Sequence, residues 1–400
     1  MLPLDTKAKL TNWGHAPLLK VADLAEMAVG RFPFERMALD LRSIGQKSAA
    51  TAELVGLPWA GFIANQDAQL PSGRPGVVLD DRAGIVRPGD VIELQPLRSR
   101  VLVRYRRGDA SNVLFATEQC NSYCMMCSQP PHDVDDAWRI EQMCELVKLI
   151  DADTPSLAIS GGEPTLLGAG LNRVIGHCAD RLPATPLHVL TNGRRFSAHG
   201  YAATFEAAHP ALSWGVPLYG DHFCLHDYVV QSSGAFAETI KGLYALHQAG
   251  QRIEIRVVLV KPTVERLQEL VRYLYRNLPF VEHVALMGIE PTGFAKAHYD
   301  DIWIDPADMA DALEAAVEFL AARSMAVSLF NLPLCALSRS LWPFARQSIS
   351  NWKRDYLPPC EGCLVRERCA GFFSWTTDAW TSRAIRTITH HEEGVSCEKH

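Results

Sequence analysis

From residue 112 onward the chain alternates two kinds of hydrophobic spacing, and that alternation restricts the fold more than any other feature. Short apolar runs stand at Val113–Ala116, Leu157–Ser160, Leu187–Leu190, Leu212–Val216, Ile253–Val260 and Val284–Met287. Between them lie stripes at helical spacing. These are Ile140, Met143, Cys144 and Val147; then Phe236, Ile240, Leu243, Tyr244 and His247; then Leu267, Leu270, Val271 and Leu274; and Met309, Leu313, Ala316, Val317 and Leu320. Apolar residues at i, i+3, i+4 and i+7 share one helix face, whereas short continuous apolar runs suit strands buried on both faces. Strand followed by helix, repeated, gives right-handed βα units and a parallel sheet. Six such units predict an α/β fold of the partial (β/α)6 TIM-barrel kind, two units short of the closed form.

The strand ends carry the chemistry. In parallel βα folds, ligands gather at the C-terminal ends of the strands. The six runs lead, in order, into the cysteine loop that starts at Cys120, Ser160-Gly161-Gly162-Glu163-Pro164, Thr191-Asn192-Gly193, Pro217-Leu218-Tyr219-Gly220, Lys261-Pro262 and Gly288-Ile289-Glu290-Pro291. A ligand across that mouth can touch all of them. Cys120, Cys124 and Cys127 have the spacing Cx3Cx2C. Three thiolates so placed can wrap one corner of an iron–sulfur cube, and with no near fourth cysteine one iron stays open to a substrate or cofactor. A partial zinc site and plain buried thiols are the other outcomes such a triplet allows. In the next strand end, Gly161 and Gly162 permit positive φ and close approach of a ligand to the backbone. Exposed carbonyls there, with the Glu163 carboxylate, can receive an ammonium group.

Cys120, Cys124 and Cys127 followed by Gly161-Gly162-Glu163-Pro164 resemble the radical S-adenosylmethionine (radical SAM) superfamily, over roughly residues 110 to 330. The resemblance implies that the three cysteines hold a [4Fe–4S] cluster whose open iron is chelated by S-adenosylmethionine. It implies that Met126 lies near the adenine and that Gly161, Gly162 and Glu163 meet the methionyl amino group. One electron then cleaves the cofactor to a 5′-deoxyadenosyl radical, which abstracts a hydrogen atom from substrate. Where the family often carries Ser-Leu-Asp-Gly, this chain has Pro217-Leu218-Tyr219-Gly220, so Asn192, Tyr219 and Asp221 are the candidates for the ribose contact. Arg256 can pair with the methionyl carboxylate, since guanidinium binds carboxylate in a fork; an arginine there can equally point outward. The segment Gly288 to Gly293 is expected to border the adenine.

The tail has a second cysteine group, Cys360-x2-Cys363-x5-Cys369, with Cys335 upstream. Four thiolates can close a second cube, and they equally suit tetrahedral zinc. The resemblance implies an auxiliary [4Fe–4S] cluster of the twitch or SPASM kind. No further Cx3C follows Cys369, so one auxiliary cluster is expected, and Cys397 can replace Cys335 as the fourth ligand. The Ser128-Gln129-Pro130-Pro131 ending, with Pro217-Leu218-Tyr219, Cys360-Glu361-Gly362-Cys363 and Gly371-Phe372-Phe373-Ser374, resembles the C-type radical SAM maturase of His-Xaa-Ser repeat systems. That implies a peptide or protein substrate with such repeats, a second radical SAM maturase as partner, and an electron donor such as flavodoxin or ferredoxin. A radical SAM enzyme acting on a small molecule in cofactor biosynthesis, and a non-catalytic metal-binding partner of another maturase, stay open as alternatives.

Length and composition bound the rest. Four hundred residues exceed what one core sustains. We expect a β-rich accessory domain over 1–105, the partial barrel over 106–330 and the cysteine-rich extension over 331–400. In the first of these, Val21 to Val29 reads as a helix, and strands are expected at Gly76–Leu79, Val91–Leu94 and Val101–Arg106. A net charge of −6 excludes a basic domain built to neutralise phosphates, so no nucleic-acid partner is expected. The short basic clusters, Arg194-Arg195 among them, read as solvated surface. No apolar run is long enough to span a membrane and the N-terminus lacks a signal-peptide pattern, so a cytoplasmic location is expected. Eleven cysteines in a reducing compartment favour metal or redox chemistry over disulfides.

Overall fold

The computed structural model describes residues 4–13, 18–42, 44, 49–80 and 84–389. The first seven strands close into a barrel: β1 (Asp5–Thr11), β2 (Leu18–Ala22), β3 (Met37–Asp40), β4 (Gly61–Ala64), β5 (Gly76–Leu79), β6 (Val91–Gln95) and β7 (Arg100–Tyr105). Their order is β1-β5-β4-β3-β2-β6-β7, closed by pairing of β1 with β7. The pairs β2–β3, β3–β4 and β4–β5 are parallel and the others antiparallel. Closure leaves no unpaired sheet edge. The helix expected from Val21 starts only at Leu24. Val21 is fully buried in β2, and the Asp23 side chain accepts the Glu26 N–H at 2.9 Å, which caps the helix there. Strands β3 and β4 are buried at every position, so they lack the alternation that marks a half-exposed strand.

The second sheet is all parallel, with its strands in chain order: β8 (Asn112–Phe115), β9 (Leu157–Ser160), β10 (Leu187–Leu190), β11 (Leu212–Pro217), β12 (Arg252–Val258), β13 (His283–Met287) and β14 (Val327–Phe330). The six expected strands are present, and β14 is a seventh that corrects the sixfold count. It pairs with β13 from Val284↔Val327 to Met287↔Phe330 and extends the sheet by one strand. Its four-residue run sits directly before the tail, too short to stand out beside the helix it follows. The outer face packs on helices, including Trp138–Val147, Ala169–Arg181, Leu267–Asn277 and Ala310–Ala321. In the helix Ala235–Gln248 the buried face runs through Ala235, Thr239, Leu243 and Leu246, so Tyr244 turns outward, against the expected stripe.

A buried ion-pair group joins the barrel to the sheet. Lys20 in β2 is fully buried. Its ammonium donates to the Leu149 carbonyl at 3.1 Å and to Asp151 at 2.7 Å, and faces the rings of Phe32 and Tyr105. Asp151 also accepts from Arg107 and from the Tyr105 hydroxyl. Burial would raise the Asp151 carboxyl, but the hydrogen bonds from Arg107 and Lys20 outweigh it and hold it below the usual range. Among the described residues, no helix is long and apolar enough to cross a membrane.

Candidate functional site

The cysteine loop leaves β8 and is fastened on three sides. On one side the exit of β9 is laid against its first residues. Gly162 N–H donates to the Thr117 carbonyl at 2.7 Å and Glu163 N–H to the Gln119 carbonyl at 2.8 Å. A Cβ on Gly162 would lie 2.1 Å from the Gln119 oxygen, and one on Gly161, whose φ is +144°, would lie 2.6 Å from the Thr117 oxygen. The two glycines are therefore used for backbone-to-backbone contact. On the second side, Tyr123 and Met125 N–H groups donate to the Val230 and Val229 carbonyls at the end of the helix Phe223–Val230. On the third, the Phe294 N–H donates to the Cys127 carbonyl at 2.8 Å.

Glu163 is almost wholly buried and its carboxylate is occupied. Oε1 accepts from the Thr165 N–H (3.0 Å) and from the Thr165 and Thr191 hydroxyls (2.6 Å each), while Oε2 accepts the Asn192 N–H at 2.6 Å. In this geometry it locks the end of β9 to the end of β10. Asn192, positioned by that lock, donates from Nδ2 to Asn121 Oδ1 inside the cysteine loop at 2.5 Å. Pro164 opens the short helical turn Pro164–Leu167, which Glu163 caps.

Arg194, expected at the solvated surface, is largely buried. Its side chain is 12% exposed; it donates from Nε to Glu238 at 2.6 Å and from Nη1 to the Asn121 carbonyl, Ser122 Oγ (3.0 Å) and Ser232 Oγ (2.8 Å). One guanidinium thus ties the end of β10, the cysteine loop and the helix Ala235–Gln248 together. The available signal was its place, directly after the strand-end triplet Thr191-Asn192-Gly193.

The three thiols lie close enough to act on one another. Burial, then Glu163 and Cys127, push the Cys120 thiol up to about 11; burial, then Cys127 and Cys120, push Cys124 higher still; burial also raises Cys127. Thiols kept protonated in this way become thiolates when a metal displaces the proton. Among the described residues no set of three His, Cys, Asp or Glu side chains converges on a single metal-ion position. A cube does not require that convergence, because each cysteine binds a different iron. The residues present therefore fit a cluster.

Met126 and Tyr219 pack in one apolar group with Cys124, Val229 and Ala295. The Tyr219 ring stacks on His226, and burial raises its hydroxyl. Asp221 is held by Arg266 at 2.8 and 3.0 Å. Arg256 points inward and lines a cavity of about 770 Å³ together with Phe115, Ser128, Ser160, Glu290 and Trp375. That volume is within the usual range for small-molecule sites. Gly288 abuts Asn331 beyond β14 and lines a smaller apolar void under the tail.

Below Arg256 a polar row crosses the inner face of the sheet, unforeseen in the sequence. Ser213 Oγ meets His188 Nδ1 (2.8 Å); His188 Nε2 stands 3.4 Å from Glu254; Glu254 meets His283 Nδ1 (2.8 Å); and His283 Nε2 meets Ser328 Oγ (3.0 Å). Arg256 donates to Glu254 at 2.7 Å. Burial would raise Glu254, but the two imidazoles and Arg256 hold it far below the carboxylate range. Gly215, between His188 and Glu254 on the intervening strand, leaves the gap. A Cβ there would sit 2.6 Å from His188 Nε2 and 2.8 Å from Arg256 Cδ.

In the tail, Cys335, Cys360, Cys363 and Cys369 line one small void, with Tyr356, Arg366 and Arg386 beside them. Burial raises Cys335 and Cys360, and each also feels neighbouring thiols of the set. Four thiols around one void fit a closed site. Cys397 lies outside the described residues. Cys144 and Cys178 are buried in the main core, whereas Cys224 is exposed.

No family model and no curated protein matches the chain. Among solved structures it is similar to Streptococcus suis SuiB bound to S-adenosylmethionine, at 16% identity over 56% of this chain and 51% of that one, with a TM-score of 0.45. It is similar to anSMEcpe with bound AdoMet, at 16% identity over 54% of this chain and 63% of that one, TM-score 0.42. A radical SAM methyltransferase from Sphaerobacter thermophilus matches at 14% identity over 61% of this chain and 70% of that one, TM-score 0.37. The matched part is thus about half the length of SuiB. At these scores the likeness is partial, and the site stands on its own residues.

Proposed function

We propose that this chain is a radical SAM enzyme that modifies a peptide or protein, of the His-Xaa-Ser repeat type, by hydrogen-atom abstraction. The observation that carries the reading is the Cx3Cx2C loop at the exit of β8, clamped backbone to backbone by Gly161-Gly162-Glu163. Cys120, Cys124 and Cys127 would hold the [4Fe–4S] cluster, which supplies the electron that cleaves S-adenosylmethionine to a 5′-deoxyadenosyl radical. Met126 and Tyr219 offer apolar surface beside Cys124, and Arg256 offers a guanidinium to a carboxylate in the cavity. The sheet and its loops would have to shield the site from water, which a primary carbon radical requires. Cys335, Cys360, Cys363 and Cys369 would hold an auxiliary [4Fe–4S] cluster. In this reading residues 1–105 would be the accessory part, 106–330 the catalytic part and 331–400 the auxiliary part. A cytoplasmic setting, a flavodoxin or ferredoxin donor and a second maturase belong to the same reading.

The test is anaerobic reconstitution. About eight irons per chain are expected, from four per cube, with reductive cleavage of S-adenosylmethionine. Cleavage that survives Cys124→Ala overturns the assignment. Mass spectrometry of a His-Xaa-Ser repeat peptide before and after exposure to the enzyme tests the substrate.

A further inference from the structure

We propose that Glu290, Trp352 and Trp375 form a subsite of the large cavity for a cationic side chain of a bound peptide, which rests on the peptide-modifying reading and deepens it. Lys353 fills the subsite until that side chain arrives. All four residues line the cavity of about 770 Å³. The Lys353 ammonium lies 3.1 and 3.3 Å from the two carboxylate oxygens of Glu290. It stands 5.1 Å from the Trp352 ring centre and 5.6 Å from that of Trp375. A carboxylate beside two indole rings favours a cation, because the ring quadrupoles and the negative charge attract it together. A small hairpin brings the two rings to one place. Strand β15 (Arg354–Asp355) pairs antiparallel with β16 (Phe372–Phe373), and the Ser374 N–H donates to the Lys353 carbonyl at 2.7 Å. Trp352 and Trp375 therefore stand at the same end of the hairpin, with ring centres 6.5 Å apart. Glu290 comes from another wall, the segment that follows β13.

Lys353 holds this place loosely. Strong ammonium–carboxylate hydrogen bonds run at about 2.7–2.9 Å, shorter than either bond here. Both partners are partly exposed, where such a pair is weak, and the lysine stem is flexible enough to turn away. The other cations on the cavity wall have carboxylates of their own: Arg104 has Glu93, Arg106 has Asp90 and Arg256 has Glu254. Asp109, the other wall carboxylate, faces the charges of Arg106 and Arg87. Among the described residues Glu290 has no ion-pair partner besides Lys353. A neutral side chain that displaced Lys353 would leave the Glu290 carboxylate uncompensated, whereas an incoming cation replaces one positive charge by another. The same exchange keeps an anionic side chain out of this corner.

The test is calorimetric titration of the full chain, without turnover, with three probes. These are a capped pentapeptide with a central lysine, the same peptide with norleucine in its place, and n-butylammonium. The lysine peptide is expected to bind about 5- to 30-fold more tightly than the norleucine peptide, as one desolvated cation–π contact gives. Glu290→Gln and Trp375→Leu should abolish that preference, with Trp352→Leu in place of the latter if it fails to fold. Lys353→Met removes the resident cation and should tighten binding of the lysine peptide, while Lys353→Arg keeps a cation in place and should not. A lysine that only braces the tail against the sheet predicts the opposite, weaker or unchanged binding in Lys353→Met. Equal affinity for the two peptides, or no gain in a folded Lys353→Met, overturns the subsite and spares the peptide reading. Binding of n-butylammonium with neither peptide bound overturns the peptide reading and spares the cation subsite. Binding of none of the three overturns both.

Discussion

Replacing Arg194 by methionine keeps the stem and removes the fork that fastens the cysteine loop. The buried Ser122 hydroxyl then loses its donor, while the half-buried Asn121 carbonyl keeps only the Ser232 hydroxyl at 3.5 Å. A buried polar group left without a partner costs about 1–3 kcal/mol, so the closed loop loses about 1–3 kcal/mol. Glu238 is 45% exposed and its pair adds about 0–1 kcal/mol. At about 1.4 kcal/mol per tenfold, the loss at Ser122 alone raises the open population of the loop by about 5- to 140-fold. The global core does not depend on this fork, so the effect is local. Hydrogen exchange of the Tyr123 and Met125 amides, which are bonded to Val230 and Val229, reads that opening directly. Iron retention after gel filtration reads its consequence for the cluster. Arg194→Lys should fall between, since one ammonium cannot serve the set of acceptors that the fork reaches. Unchanged exchange at both amides in Arg194→Met, with full iron retained, would refute the reasoning.

Gly162→Ala should block reconstitution, because its Cβ meets the Gln119 oxygen at 2.1 Å, whereas Gly176→Ala, with nothing within 4 Å, should leave iron uptake intact and raise stability by about 0.5–1 kcal/mol; iron content and thermal melting check both. His226 is deeply buried and burial lowers its pKa to about 4. The unfolded chain takes a proton near 6.5 and the folded one does not, so stability is present above that value and is lost as pH falls towards 4, by about 3 kcal/mol at most. Denaturant titration between pH 7 and 4 should show that slope, and His226→Gln should flatten it. Asp151→Ala leaves Lys20 buried with its ammonium uncompensated and should cost about 3–5 kcal/mol; equal melting curves for variant and native protein would contradict the account of the junction.

The half that follows residue 112 was open to sequence reading because its signals are local. Strands β9 and β10 stand at the residues their apolar runs mark, and the Cx3Cx2C and Gly-Gly-Glu segments are contiguous. Glu163 shows where local reading stops: the residue type suggests a free carboxylate, but the fold surrounds it with Thr165, Thr191 and Asn192. Arg194 shows the converse, a surface-looking arginine that packing turns onto the cysteine loop.

What the sequence by itself determined is the part written in short-range pattern: strand and helix periods, the thiol spacing, and the order in which strand ends come to one mouth. Closure of the first seven strands into a mixed barrel was decided only in three dimensions, because fully buried four-residue strands carry no period to read. The same holds for the His188–Glu254–His283 row, whose members are 66 and 29 residues apart in sequence and meet only because Gly215 leaves a gap between parallel strands. Hydrogen bonds and ion pairs depend on distances that chain spacing does not encode, so the partners of each site residue waited for the tertiary structure.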